Sequence, residues 1–272
     1  MGAGRVKIKR YKTRKSGKGW LILPALLLFG LLCAAYWGKD TLHELLISPA
    51  PTLSQAESQG DSRTVTLPGK SWFSLQLGAF ENEESAREVA ESFRARGAGG
   101  LIAHQGNYRV LAAAYESRAQ AQTVQQQLRS QHGVEAYIYE INRGEITLKI
   151  SGQKAQLTAL TDAYDALFQA EAQLSALSQG IDRGETGKDA ALAALASQRE
   201  TLSVFQDRLL SLFGENAHVA VGEIRQLLIR LEAEIASALG ADSMLALGSQ
   251  IKYCQLLAIT GLADYSANLS AR

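Results

Sequence analysis

The chain has 272 residues, a formal net charge of +1 and 46% hydrophobic residues, which leaves room for one or two small domains plus additional segments. The charge is unevenly placed: the first nineteen residues carry eight bases and no acid, so the remainder holds 20 bases against 27 acids, a net of −7. That balance argues against nucleic acid as a partner of the main body, because phosphate contact needs clustered bases.

Trp20–Trp37 contains no charged residue. As a helix it spans roughly 27 Å, close to the bilayer hydrocarbon thickness of about 30 Å. A tryptophan at each end fits the two interfacial aromatic belts, and the bases that precede it put the N-terminus in the cytoplasm. The expected order is therefore a basic cytoplasmic tail over 1–19, a single transmembrane helix over 20–38, and an extracytoplasmic remainder. Cys33 falls inside the span and Cys254 more than 200 residues away, so neither a disulfide nor thiol chemistry is implied. Residues 39–70 read as linker, with Pro49, Pro51 and Pro68 among Ser, Gln, Thr and Gly.

Residues 71–142 read as one strand–helix–strand unit written twice. The first copy is the strand Ser71–Phe80, a helix over 82–96 and a short strand near Leu101–His104. The second is the strand Tyr108–Tyr115, a helix over 117–132 and the strand Glu135–Ile141. A tandem βαβ–βαβ pattern of this length predicts a small ferredoxin-like βαββαβ module, with two helices on one sheet face and the other face open. Alternation points Phe73, Leu75 and Leu77 to the helices and Trp72, Ser74 and Gln76 to the open face. In the third strand Tyr108, Val110 and Ala112 take the core parity, while Asn107, Arg109 and Leu111 share the open face with Gln76. Asn82 and Ser117 suit helix starts, and Gly97 and Gly133 suit helix ends.

Residues 145–272 change character. Glu145–Ile150 reads as one more strand or an extension. Leucine-rich heptad-like spacing then predicts a hairpin of two helices broken at Gly180–Gly187, a third helix over 219–239 and a fourth over 243–269. Short turns favour an antiparallel bundle, and a coiled-coil hairpin is the competing shape. The fold class is thus α+β: a transmembrane helix, a βαββαβ module, then an all-α region.

The stretch Phe73-Ser-Leu-Gln-Leu-Gly-Ala-Phe80, with Tyr108-Arg-Val and Ser117-Arg-Ala-Gln-Ala, resembles the SPOR (sporulation-related repeat) domain over about residues 70–142. The order of basic tail, anchor, linker and extracytoplasmic module is similar to that of many members. The resemblance implies a peptidoglycan-binding function, with preference for glycan strands stripped of stem peptides, at bacterial division or sporulation septa. It implies glycan-binding roles for Gln76 and Arg109. Ala79 stands where the family has a serine, and Asn107 where it has an aromatic residue. Trp72, Tyr137 and Tyr139 are the rings available to replace that platform.

The histidines His43, His104, His132 and His218 are scattered without metal-ligand spacing. No P-loop or nucleophile elbow is present. No cofactor, metal or catalytic residue is expected. Three readings remain open: a membrane-anchored, non-catalytic glycan binder whose helical region recruits protein partners; an envelope interaction scaffold whose module has lost its glycan; and an enzyme hidden in the helical region.

Overall fold

Two βαβ units follow each other between Lys70 and Arg143. The computed structural model describes residues 7–11 and 60–271, and the expected membrane span over 20–38 lies outside them. The strands and helices of the repeat are β3 (Lys70–Phe80), α1 (Glu83–Arg94), β4 (Leu101–Gln105), β5 (Asn107–Tyr115), α2 (Arg118–His132) and β6 (Tyr137–Arg143). Local chemistry fixes the helix ends. The Asn82 side chain accepts from the Ser85 amide at 2.9 Å, and Ser117 does the same for Gln120 at 3.2 Å, each satisfying a donor the first turn leaves open. Gly133, at φ 63°, closes α2 in the left-handed region.

The four strands pair antiparallel in the order β4–β5–β3–β6. The alternation survives, with two irregularities. Between Ser74 and Gln76 the register slips, so Leu75 faces both Ala112 and Ala113, a β-bulge that turns both alanines to the same side. A second slip between Gln76 and Gly78 leaves Ala79 opposite Arg109. One face then carries Phe73, Leu75, Leu77, Val110 and Ala112 against α1 and α2. The other carries Trp72, Gln76, Ala79, Arg109, Leu111, Tyr137 and Tyr139.

A second sheet was not expected. β2 (Asp61–Leu67) lies antiparallel to β7 (Ile146–Gly152), inside the range read as linker. Its Asp-Ser-Arg-Thr-Val-Thr-Leu sequence has only two aliphatic residues, Val65 and Leu67, which pair with Leu148 and Ile146. β1 (Lys7–Tyr11) pairs with the other edge of β7. That pairing and a bilayer-crossing segment at 20–38 exclude each other, since a crossing would put β1 and β7 on opposite sides of the membrane.

The helical region is a bundle and not a long hairpin. α3 (Lys154–Asp182), α4 (Lys188–Phe213), α5 (Val219–Leu239) and α6 (Met244–Ala271) follow in sequence. Each packs on the next, and α6 returns to α3. Leu160, Leu167, Leu174, Leu195, Leu202, Ile224, Leu228, Leu231, Ile235 and Ile251 are fully buried along these seams. Burial, the largest cause, pushes the Tyr164 hydroxyl up to about 12, against the lowering effect of its hydrogen bond to Tyr265. Among the described residues no helix is long and apolar enough to cross a membrane.

The bundle is not a separate body. It shares one compact unit with the repeat, because α6 lies on β4, β5 and β6. The face expected to be open is therefore half covered. One continuous apolar core joins Trp72, Leu101, Leu111, Ala114 and Ile141 of the sheet to the leucines of α3 and α6. Gly99 permits the approach: a Cβ there would lie 2.9 Å from a Leu256 methyl and 3.0 Å from the Lys252 backbone.

Candidate functional site

Three zones follow one another along the sheet face that carries Trp72. In the first, the bundle seals the surface. Trp72 is 1% exposed, and its indole N–H donates to Glu171 Oε1 of α3 at 2.7 Å. Arg143 of β6 pairs with the other Glu171 oxygen and donates from Nε to the Pro68 carbonyl at 3.0 Å. Lys70 lies 3.9 Å from the centre of the Trp72 ring. Gln255 of α6 donates to the Ala114 carbonyl at 2.9 Å and to Ser175 at 3.1 Å. A buried carboxylate with an indole donor and a guanidinium is a satisfied structural cluster. Trp72 cannot serve as the surface ring that its strand parity implied.

The second zone is a bridge. Tyr139 of β6 reaches across β3 and β5 to donate its hydroxyl to Gln105 Oε1 of β4 at 2.5 Å. On its bundle side lies a cleft of 340 Å³, walled by Ala103, Gln105 and Tyr139 from the sheet and by Arg230, Tyr253, Thr260 and Asp264 from α5 and α6. Partial burial raises the Asp264 carboxyl above its ordinary range, and the Arg230 charge opposes that shift.

The third zone stays open. Arg109 Nη1 donates to Gln76 Oε1 at 2.9 Å, and its guanidinium sits 5.1 Å from the Tyr139 ring centre. Arg109 Nε is buried with no hydrogen-bond partner. Tyr137 is 66% exposed and lies opposite Gln76 in the register. Ala79 and Asn107 are exposed on the same face, paired with Arg109 and Gln105. Of the five residues singled out in the sequence, Gln76 and Ala79 lie against Arg109 and Asn107 shares their face. The surface thus presents an amide, a guanidinium and two phenol rings, of which Tyr137 is exposed while Gln76, Arg109 and Tyr139 are half-buried; such groups can hydrogen-bond and stack against hydroxyl- and amide-bearing molecules.

Sequence reasoning overlooked Gln105, Arg230 and Asp264. Gln105 carries the same face parity as Arg109 through Ala103 and was readable in principle. Arg230 and Asp264 belong to helices whose docking on the sheet no local pattern encodes. Among the described residues no group of His, Cys, Asp and Glu is arranged to hold a metal. Cys254 is fully buried, and that burial pushes its thiol up, away from reactivity.

No curated protein and no solved structure matches the chain. The SPOR domain model matches residues 69–140, the segment that runs from the start of β3 into β6. SPOR domains are extracytoplasmic modules of the cell envelope that bind peptidoglycan and mark division septa. The match covers about a quarter of the chain, so the chain carries a SPOR domain at residues 69–140.

Proposed function

We propose that the protein is a non-catalytic, membrane-anchored envelope protein that binds denuded glycan strands through the uncovered part of its SPOR sheet. The strand order β4–β5–β3–β6 supports a ferredoxin-like module. The observation that carries the reading is the Arg109–Gln76 hydrogen bond on an open face beside Tyr137 and Tyr139. Gln76 and Arg109 supply hydrogen bonds to sugar hydroxyl and acetamide groups, and the tyrosines supply the platform that Asn107 does not. Ala79 leaves room beside Arg109 where the family has a serine.

The uncharged segment 20–37 between tryptophans, after eight bases, supports the anchor. An anchored chain gives up the β1–β7 pairing. The site of action follows the ligand: division or sporulation septa, where strands lose their stem peptides.

The test is sedimentation of the detergent-solubilised full chain with purified sacculi before and after amidase treatment. Retention should rise after amidase, and Arg109→Ala should lower it by roughly tenfold, about 1.4 kcal/mol. Gln76→Ala should remove septal enrichment in cells. The sealed first zone favours a second reading, an interaction scaffold that keeps the domain without its glycan. Absence of the wild-type chain from both pellets would select it.

A further inference from the structure

The cleft next to Tyr139 has one wall from the SPOR sheet and one from the bundle. It adjoins the open zone: Tyr139 lines it and carries Arg109 over its ring, and Ala103, also in its wall, is the register partner of Arg109. At 340 Å³ it lies at the small end of ligand clefts, about 300–1,000 Å³, with room for part of a strand. Its bundle wall offers one cation and one anion, Arg230 and Asp264, both exposed. It also offers Tyr253, whose ring has the Arg94 guanidinium 4.2 Å from its centre.

Amide hydrolysis of a stem peptide leaves a carboxylate on the lactyl ether of the sugar. That carboxylate is the group a denuded strand has and an intact strand lacks. A guanidinium lining a cleft is suited to it, because charge-assisted hydrogen bonds are about twice as strong as neutral ones. An aspartate beside it accepts from sugar hydroxyl or acetamide N–H groups.

Resting on the glycan reading above, we propose that α5 and α6 form the second wall of the glycan site. Arg230 pairs there with the lactyl carboxylate, and Asp264 accepts from the neighbouring hydroxyl or acetamide. The bundle thereby helps to select denuded strands.

The test compares the wild-type full chain with Arg230→Gln, Asp264→Asn and Arg109→Ala on two probes. One is amidase-denuded sacculi. The other is the same material with its lactyl carboxylates capped as methylamides. Wild type should be retained better on the free carboxylate. Arg230→Gln should lower that retention by about fivefold and erase the difference between probes. Asp264→Asn should lower retention on both by about threefold. Wild-type retention by both bundle variants, with loss in Arg109→Ala alone, overturns the second wall and leaves the glycan reading standing. Failure of the wild-type chain to bind either probe overturns the glycan reading, and the second wall with it.

Discussion

The two faces of the SPOR sheet are packed in different ways. The α1/α2 face is floored by small residues, Ala112 and Ala113, which the bulge places side by side. It keeps a half-open cleft of 510 Å³ over the sheet, lined by Leu75, Leu77, Val124 and Leu128 and also by Asp182 and Lys252 of the bundle. The bundle face has large side chains, Trp72, Leu101, Leu111 and Ile141, joined to one core with α3 and α6. It also holds a buried ion pair. Dense packing leaves no dispersion contact unmade, and a void forfeits them. The bundle side of the sheet is therefore packed more closely than the α1/α2 side. The bundle acts as part of the module's core as well as a neighbour of its open zone.

Removal of the bundle breaks this comparison most severely. A fragment ending at Gly144 would bare Trp72, Leu101, Leu111 and Ile141, each of which is 6% exposed or less in the full chain. Burial of a large apolar side chain contributes about 1.5–3 kcal/mol, and a small domain has only about 5–15 kcal/mol in all. The fragment should lose cooperative melting by circular dichroism, and deuterium should exchange rapidly along β3 and β6. A fragment that melts as sharply and as high as the full chain would show that α1 and α2 suffice.

Substitution at Glu171 probes the same face at one point. Glu171→Ala leaves the Arg143 guanidinium buried, 5% exposed, and takes the acceptor from the Trp72 indole. Breaking such a pair costs about 3–5 kcal/mol. Arg143→Met with Glu171→Leu removes both charges, and much of that loss should return. Denaturant midpoints of the single and double variants check this. Equal loss in all of them would mean that shape at this point matters and charge does not.

The sheet's parity was legible because alternation has a period of two, and Phe73, Leu75 and Leu77 kept their side through the slips in register. The bundle's helices were legible because leucine spacing, Gly184 and Gly240-Ala241-Asp242 mark their turns. Trp72 shows where such reading stops. Alternation assigns a residue to a face but carries nothing about what covers that face, and here the cover comes from Glu171 and Gln255, about 100 and 180 positions downstream. β2 escaped for a different reason. Its five polar residues look like linker until Ile146 and Leu148 supply partners for Leu67 and Val65. The candidate site divided in the same way: alternation put Gln76 and Arg109 on one face and the SPOR resemblance gave them their roles, whereas the proposed places of Arg230 and Asp264 follow only from long-range docking.

Filling the cleft on the α1/α2 face sharpens the comparison with the smallest effect. Ala113 is 5% exposed and lines the 510 Å³ space, so an added pair of methyls is expected to extend into it. Ala113→Val also suits a strand, where β-branched side chains are favoured. The expected gain is about 0.5–1 kcal/mol, in the range common for cavity filling, read as a rise in melting temperature of a few degrees. Ala114→Val is the matched control on the other face. Ala114 is 2% exposed, and its carbonyl accepts from Gln255 in the sealed zone, where overpacking costs about 1–3 kcal/mol. Opposite signs for two neighbouring alanines would locate the difference in packing on the two sides of β5. The same sign for both would mean that the cleft's floor resists filling as firmly as the bundle's seam does.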